Sequence, residues 1–273
     1  MHILLTGSTG FIGHTLQAAL QRAGHTVQGG VSPRQRTLLP GQVPMDFAHD
    51  TTAAAWLPRL AGIDAVVNAV GVLRDTRARP IDAVHRTTPI ALFDACAQAG
   101  VQRVVHISAL GIDGSNTRYA QTKRAAEAHL QTLATQAKLR PAILRPSVVY
   151  GKGGDSSALF MNLARLPLAL FPGPMLTARV QPVSVHDLAA AVVALLGPAL
   201  EHTGTIDCTG PEALTMGAFI ASLRQQLGHS PATVLRLPQP LTTLSARLGD
   251  AVPQSPWCSE TLAMLGSDNV GNP

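Results

Sequence analysis

The sequence predicts an α/β fold built around a doubly wound parallel β-sheet. A short apolar run at residues 2–6 leads into three glycines spaced three apart, and an amphipathic helical stretch closed by Gly24 comes after them. Further along, apolar strand-like runs alternate with helical stretches, which is typical of parallel strands covered by helices on both faces. These observations predict a Rossmann-like sheet, and the glycine- and proline-rich sequence beyond Gly151 predicts a small C-terminal lobe.

The composition is that of a chain with a large buried core. Hydrophobic residues make up 46% of the 273 positions and charged residues only 14%, which argues against disorder. The net charge of +5 suits phosphorylated ligands, but the basic residues are scattered, so we expect no nucleic-acid partner. The three cysteines have no metal-ligand spacing, so we expect no metal site and a reducing, cytoplasmic environment. We also expect no signal peptide and no membrane span, since the apolar stretches are short or interrupted.

The glycine turn at residues 7–13 has the three features that a dinucleotide site needs. The first glycine permits a tight turn, the second lets the backbone approach a pyrophosphate, and the third lets the helix pack closely on the strand. The helix N-terminus adds unpaired N–H groups and a positive dipole. An ordinary turn is the alternative, but the strand before and the helix after favour a cofactor site. The residues that we expect to contact the cofactor here are Thr6, Gly7, Thr9, Gly10, Phe11, Ile12 and Gly13.

The loop after the second predicted strand, residues 26–31, bears on the choice of cofactor. A carboxylate at this point would bind the ribose 2′-hydroxyl of NAD, but the sequence has no Asp or Glu before Asp46. Arg34 and Arg36 occupy the loop instead, where a guanidinium can pair with the 2′-phosphate of NADP. Two solvated loop arginines are the alternative. We therefore expect NADP, with NAD left open.

The ends of the next two predicted strands supply further cofactor candidates. Asp46 and Phe47 follow a short strand at residues 42–45 and could meet the adenine, although a turn aspartate and a core phenylalanine are equally consistent with the pattern. The strand that begins at residue 63 should bring its backbone close to the ligand at the carboxyl edge of the sheet. The residues at that end are Asn68, Ala69, Val70 and Gly71.

A tyrosine and a lysine four residues apart form the candidate catalytic pair. Tyr119 and Lys123 would project from one face of a helix that runs to residue 133, and a nearby ammonium lowers a tyrosine pKa. Tyr119 is then a plausible proton donor to a carbonyl oxygen, and Lys123 could also hold the nicotinamide ribose. The spacing alone is common on helix surfaces. It gains weight because the sequence has only two tyrosines and because this one follows a predicted strand that ends at Ser108.

The remaining pattern sets the predicted domain boundaries. We expect a dinucleotide-binding domain over residues 1–150 and 178–210, and a smaller lobe over 151–177 and 211–273. Helices are predicted at 82–99, 159–166, 187–196 and 216–227, and strands at 141–146, 180–185 and 204–208. From residue 241 the sequence is helical and then polar. It stops without an obvious closing element, as a piece of a longer chain would.

Taken together, these motifs resemble the short-chain dehydrogenase/reductase superfamily in its extended or atypical, epimerase/dehydratase-like branch. The motifs are Thr6-Gly7-Ser8-Thr9-Gly10-Phe11-Ile12-Gly13, Asp46-Phe47, Asn68-Ala69-Val70-Gly71, Tyr119 with Lys123, and Leu144-Arg145-Pro146-Ser147-Val148-Val149-Tyr150-Gly151. The last of these, with Ser267-Asp268-Asn269-Val270, is similar to the NAD(P)-binding accessory subunits of respiratory complex I and their bacterial relatives. The resemblance implies that the nicotinamide lies near the backbone of Pro146, Val148 and Val149, and that the small lobe shapes a substrate site.

One departure from that family pattern leaves the function open. Active members usually carry a hydroxyl at the second small residue of the strand end, where this sequence has Ala109 after Ser108. Ser108 is therefore either a catalytic hydroxyl or a core serine. Three hypotheses follow: an NADP(H)-dependent oxidoreductase acting on a small molecule, a cofactor-binding scaffold, and a nucleotide-sugar epimerase or dehydratase. The partner would be a second copy of the chain or a respiratory complex.

Overall fold

The computed structural model describes residues 1–35, 37–197, 203–252 and 257–271. The chain divides into two compact units, Met1–Pro146 with Val185–Cys208 and Ser147–Ser184 with Thr209–Pro273. The sequence predicts cofactor binding by residues 1–150 and 178–210 and a substrate lobe over residues 151–177 and 211–273. Those roles and boundaries stay predictions.

The secondary structure alternates between strands and helices along the first unit. The described strands are β1 His2–Thr6, β2 Thr26–Val31, β3 Gln42–Pro44, β4 Ala65–Asn68, β5 Arg103–Ile107, β6 Arg140–Pro146, β7 Val149–Tyr150, β8 Leu168–Pro172, β9 Arg179–Val180, β10 Val183–Ser184, β11 Gly204–Cys208, β12 Leu214–Thr215 and β13 Thr233–Leu237. The described α-helices are α1 Phe11–Arg22, α2 Ala53–Trp56, α3 Thr88–Ala99, α4 Arg118–Thr135, α5 Asp155–Arg165, α6 Gly173–Thr177, α7 Val185–Leu196, α8 Met216–Gln226, α9 Gln239–Asp250 and α10 Ser259–Met264.

The first unit is organised by a seven-stranded parallel sheet in the order β11-β6-β5-β4-β1-β2-β3. The chain runs outward from β1 through β2 to β3, and then returns to the other side of β1 with β4. This reversal places a topological switch point between β1 and β4, where open α/β sheets bind ligands beyond the carboxyl ends of the strands. At that end Thr6 pairs with Asn68, and Asn68 pairs with His106. The predicted α/β, Rossmann-like parallel sheet is confirmed.

The core of this unit is aliphatic because the central strands are buried on both faces. Leu4 of β1, Val66 of β4 and Ile143 of β6 are completely buried in one cluster. The helices form two groups, since α1 packs beside α7 while α3 packs against α2 and α4. A 3₁₀ turn, Leu57–Leu60, and a π-helical turn, Ala83–Thr87, precede β4 and α3 respectively. The predicted helix at 82–99 therefore begins as a π turn, which its sequence did not indicate.

The second unit is held by a separate apolar cluster. Phe160, Phe171 and Phe219 are all buried there, together with residues of α6 and α8. Its strands form three pairs: β7 with β10, β9 with β12, and β8 with β13. The predicted strand at 180–185 is thus two short strands. The β8–β13 pair was not predicted, because all five residues of β8 are apolar or proline and so hide its alternation of exposed and buried positions.

Two classes of feature are absent from the described part of the chain. No helix there combines the length and the apolar character that crossing a bilayer requires. The described residues also contain no group of three or more His, Cys, Asp or Glu side chains placed to hold a metal ion.

Candidate functional site

In the glycine turn between β1 and α1, backbone atoms pack directly against other backbone atoms. Gly7 has φ +70°, and the N–H of Gly10 donates to the Gly7 carbonyl oxygen at 2.9 Å. A Cβ at Gly13 would overlap that same carbonyl, and a Cβ at Gly7 would lie 3.0 Å from Cγ2 of Val70. These positions leave no room for side chains, so the turn can present backbone N–H groups to a ligand at close range. The arrangement fits a nucleotide pyrophosphate.

Buried hydrogen bonds lock the ends of β1, β4 and β5 to one another. The Thr6 hydroxyl accepts the Ala69 N–H at 3.2 Å and donates to Oδ1 of Asn68 at 2.7 Å. Nδ2 of Asn68 lies 3.1 Å from Nδ1 of His106, and the side chains of Thr6, Asn68 and His106 are almost completely buried. Thr6 and Asn68 are therefore occupied within the protein. These bonds position the backbone at the carboxyl edge of the sheet, and the predicted contacts of Thr6 and Asn68 with a cofactor stay a prediction.

The residues predicted to contact the adenosine differ in their exposure. Arg34 is exposed, whereas Arg36 lies outside the described residues. Burial raises the pKa of Asp46, but hydrogen bonds from His49 and the Ala48 N–H and the charges of His49 and Arg34 outweigh it and hold the pKa below its usual value. Phe47 is buried, and its ring packs edge-on against Trp56 at 5.5 Å. This is the geometry of a turn aspartate and a core phenylalanine; an adenine contact stays a prediction.

Tyr119 and Lys123 lie together on one face of α4, near the carboxyl end of β5. Thr117 caps the helix by accepting the Ala120 N–H, which fixes where its first turn begins. Nζ of Lys123 lies 5.9 Å from the centre of the Tyr119 ring. The same ammonium is buried and donates to the carbonyl oxygen of Ile107 at 2.9 Å. Since Ile107 precedes Ser108, the helix and the strand end are directly joined here.

The charge on Lys123 is held in an unusual environment. Burial lowers the pKa of Lys123 to about 8, while the charge of Glu127, one turn further along α4, acts in the opposite direction. Glu127 is itself buried and paired with Arg145 of β6 at 2.5 Å, and Arg145 also binds Asp113 at 2.6 Å. A lysine with a lowered pKa and a buried counter-charge is more typical of a functional site than of a helix surface.

Ser108 carries a buried hydroxyl whose hydrogen-bonding capacity is unused. Its N–H donates to the Leu144 carbonyl oxygen at 2.7 Å, and the residue is 4% exposed. Its Oγ has no hydrogen-bond partner within the described ranges. Buried polar groups are rarely left unpaired, so an unpaired hydroxyl at a strand end suits a ligand or an ordered water.

His85 is a site residue that the sequence did not single out. It lies in the π-helical turn and is almost completely buried, with its ring 5.1 Å from the ring of Tyr119 in an edge-to-face arrangement. Burial, reinforced by the charges of Lys123 and His106, lowers the pKa of His85 to about 2. Only the position of a histidine within a helical stretch was visible in the sequence, and that signal is weak.

The remaining predicted cofactor residues divide between the two units. Pro146 ends β6 in the first unit and pairs with Cys208 of β11. Val148 and Val149 belong to the second unit, where Val149 pairs with Val183 of β10. Their predicted role beside the nicotinamide stays a prediction.

The fold is shared with enzymes that act on nucleotide sugars. The UDP-glucuronic acid 4-epimerase of Bacillus cereus, solved in complex with NAD, aligns with a TM-score of 0.70 at 20% identity over 99% of this chain and 94% of that one. The UDP-N-acetylglucosamine 4-epimerase of the same organism aligns with a TM-score of 0.70 at 20% identity, covering 86% and 85% of the two chains. At this identity the likeness concerns the fold.

The sequence itself identifies the family. Residues 3–206 match the model of the NAD dependent epimerase/dehydratase family, and the chain belongs to this family. It is 27% identical to the 3-diazoavenalumate denitrifying reductase of a Streptomyces species, over 86% of this chain and 84% of that protein. It is also 27% identical to the ceramide reductase of Caulobacter vibrioides, over 95% and 79%. Mitochondrial NADH dehydrogenase (ubiquinone) 1 alpha subcomplex subunit 9 of Arabidopsis thaliana is 29% identical over 88% of this chain, which spans 61% of that protein.

Proposed function

We propose that the protein is an NADP(H)-dependent oxidoreductase that interconverts a carbonyl and an alcohol. The observation that carries the proposal is the joining of Lys123 to the end of β5, which brings the Tyr119 helix to the unpaired hydroxyl of Ser108. Two curated relatives that cover most of the chain are reductases by name, which supports reduction over epimerisation.

Each of the three side chains has a distinct part in the proposed chemistry. A bound nicotinamide supplies the hydride. Tyr119 donates its phenolic proton to the carbonyl oxygen as negative charge develops on it. The ammonium of Lys123, 5.9 Å from the Tyr119 ring, favours the phenolate that this transfer leaves behind. The Ser108 hydroxyl donates a hydrogen bond to the same oxygen, which stabilises the charge in a water-poor site.

The cofactor residues are proposed on the same basis. The turn at Gly7 and Gly13 holds the pyrophosphate against the N-terminus of α1. Arg34, with Arg36 two residues further along the sequence, pairs with the 2′-phosphate of NADP. The adenosine end has no carboxylate before Asp46, which supports NADP over the NAD found in the solved family structure.

A cofactor-binding scaffold is the second candidate. Ala109 stands where active relatives of this superfamily usually carry a hydroxyl, and one relative is a subunit of NADH dehydrogenase. In that case NADP(H) stabilises the fold by mass action without turnover. A nucleotide-sugar epimerase is a weaker candidate, suggested by the resemblance to UDP-glucose 4-epimerase of Vibrio cholerae at 25% identity.

The two tyrosines of the chain allow a matched test of the catalytic proposal. Oxidation of NADPH would be followed at 340 nm against a panel of aromatic, long-chain acyl and sugar carbonyls. Tyr119→Phe should lower kcat about a hundredfold or more while leaving NADPH affinity within about twofold. Tyr150→Phe, in the second unit, removes the other phenol and should keep most of the rate. Equal rates for wild type and Tyr119→Phe on any accepted carbonyl would show that Tyr119 is not the proton donor.

A further inference from the structure

His85 contacts both sides of the proposed site from a single buried ring. The residue sits in a π-helical turn of five residues just before α3, and such insertions are frequent at functional sites. The imidazole of His85 points into the protein, where it meets Val72, Thr122 and Tyr119. Its exposure is 2%, so its contacts are with the protein alone.

The first contact is with the loop that follows β4. Nε2 of His85 accepts the N–H of Val72 at 2.9 Å. At the preceding residue, a Cβ built on Gly71 would lie 3.7 Å from this nitrogen and 3.7 Å from Nζ of Lys123. The backbone at Gly71 therefore lies close to both the imidazole and the ammonium. This is the loop in which Asn68–Gly71 are proposed to line the nucleotide.

The second contact is with the helix that carries Tyr119 and Lys123. Nδ1 of His85 lies 3.3 Å from the Thr122 hydroxyl, which itself donates to carbonyl oxygens in the first turn of α4. Because Nε2 accepts a hydrogen bond, a neutral ring must carry its proton on Nδ1 and donate it to Thr122. One tautomer thus satisfies the loop and the helix at the same time.

The third contact is with Tyr119 itself. The two rings meet edge to face, with centroids 5.1 Å apart and planes at 88°. This packing restricts the Tyr119 ring on the side of the π turn. His85 and Lys123 are 2% and 4% exposed, so little water reaches either of them. A positively charged residue in the place of His85 would repel Lys123.

We propose that His85 is a positioning residue, which orients the Tyr119 phenol through its ring and fixes the nucleotide-facing loop at Gly71–Val72 through Nε2. The inference rests on the proposed function, because it assigns His85 to the site of Tyr119 and the cofactor. The ring and the nitrogen are chemically separable, so the two halves of the role can be tested independently.

Two substitutions separate the halves. His85→Phe keeps a ring against Tyr119 and removes the acceptor for the Val72 N–H. His85→Gln keeps an acceptor near the Nε2 position and removes the ring. Each would be made in a Tyr150→Phe background, so that Tyr119 is the sole tyrosine and its ionisation can be read at 295 nm. NADPH affinity would be measured by nucleotide fluorescence on the same proteins.

The two variants should lose different properties. His85→Phe leaves the Val72 N–H buried and unpaired and should weaken NADPH binding about tenfold, with the Tyr119 titration close to that of the parent. His85→Gln should bind NADPH within about twofold, but the Tyr119 pKa should rise above that of the parent protein, since water then screens Lys123. Equal losses of both properties in both variants, or no change in either, would overturn the proposal.

A second pair of variants, at Thr122, tests the same proposal if the His85 variants do not fold. Thr122→Val removes the hydroxyl that accepts from Nδ1 and preserves volume, whereas Thr122→Ser keeps the hydroxyl. Thr122→Val should weaken NADPH binding more than Thr122→Ser does, and identical affinities would count against the tautomer assignment. A parent protein that binds no nucleotide would instead contradict the proposed function, and the inference with it. A parent that binds NADPH normally, with His85 variants that behave like it, would contradict the inference alone.

Discussion

The ammonium group of Lys123 donates a hydrogen bond to the carbonyl oxygen of Ile107 at 2.9 Å inside the protein. The bond joins the second turn of α4 to the last residue of β5, and so it brings a helix face and a strand end to one place. The cost of burying the amine appears as its lowered pKa of about 8. A protein that accepts this cost in its folded state has a use for a lysine at this position, and we assign that use to Tyr119 and the cofactor.

The lowered pKa of Lys123 predicts an alkaline gain in stability. Below pH 8 the amine is charged in both the folded and the unfolded states, so the penalty of burial is fully present. Between pH 8 and 10.5 the unfolded chain binds more protons than the folded one, and the free energy of unfolding rises with pH, by up to about 3 kcal/mol from this group. Urea unfolding at pH 7.5, 8.5 and 9.5 measures the rise.

The matched variants for this prediction are Lys123→Met and Lys138→Met. Lys123→Met removes the buried amine and should flatten the curve relative to wild type. Lys138 is exposed, so Lys138→Met should leave the curve unchanged. Parallel curves for all three proteins would mean that the buried amine does not titrate in this range.

The two carboxylates that pair with Arg145 should differ in their contribution to stability. The Glu127 side chain is 3% exposed and Asp113 is 66% exposed, although both bind Arg145. Glu127→Gln should lower the free energy of unfolding by about 3 kcal/mol, whereas Asp113→Asn should cost less than about 1 kcal/mol. Glu127→Gln should also lower the pKa of Lys123 further, because it removes the charge that opposes burial. Chemical denaturation of the two variants checks the ranking, and equal costs would contradict it.

The glycine turn predicts a steric effect at one position. A Cβ at Gly13 would overlap the backbone of Gly7, so Gly13→Ala should cost about 3 kcal/mol or displace the turn and abolish nucleotide binding. At Gly114 a Cβ would meet nothing within 4 Å, and Gly114→Ala should change stability by less than about 0.5 kcal/mol. Thermal unfolding and NADPH titration of both variants provide the comparison. Normal stability and binding in Gly13→Ala would rule out the close approach.

The choice between NADP and NAD depends on the loop after β2. Changing Arg34 and Arg36 together to Ala should weaken NADPH binding about tenfold or more and leave NADH affinity within about twofold, because only NADPH carries the 2′-phosphate. Arg22→Ala, at the exposed end of α1, is the control and should affect neither nucleotide. A similar loss of affinity for NADPH and NADH in the double variant would contradict the assignment of Arg34 and Arg36 to the 2′-phosphate.

The parts of the fold that sequence could predict are those encoded by local patterns. The strand, glycine turn and helix at the start of the chain are contiguous, and the four-residue spacing of Tyr119 and Lys123 places both on one helix face as expected. The alternation of strands and helices likewise predicted the parallel sheet. The glycine turn and the tyrosine–lysine spacing are local signals, and the alternation of elements is a sum of such local signals along the chain.

The parts that escaped prediction depend on contacts between distant segments. His85 becomes notable only when Val72 and Thr122 meet its two nitrogens, and no local pattern records that meeting. Phe47 was equally consistent with an adenine contact or a core position, and its burial against Trp56 and α3 was not visible in the sequence. The β8–β13 pair joins residues that are about 65 positions apart, and β8 is too apolar for its sequence to show a period of two.

The most direct test of the central claim is a fluorescence titration of the purified wild-type protein with NADPH and with NADH, followed by mass spectrometry for nucleotide that co-purifies. The account predicts saturable, freely exchanging binding of NADPH that is tighter than that of NADH. Bound nucleotide that does not exchange would favour the scaffold if it is NADP and the epimerase if it is NAD. Binding of neither nucleotide would contradict the assignment of the glycine turn, and with it the proposed function.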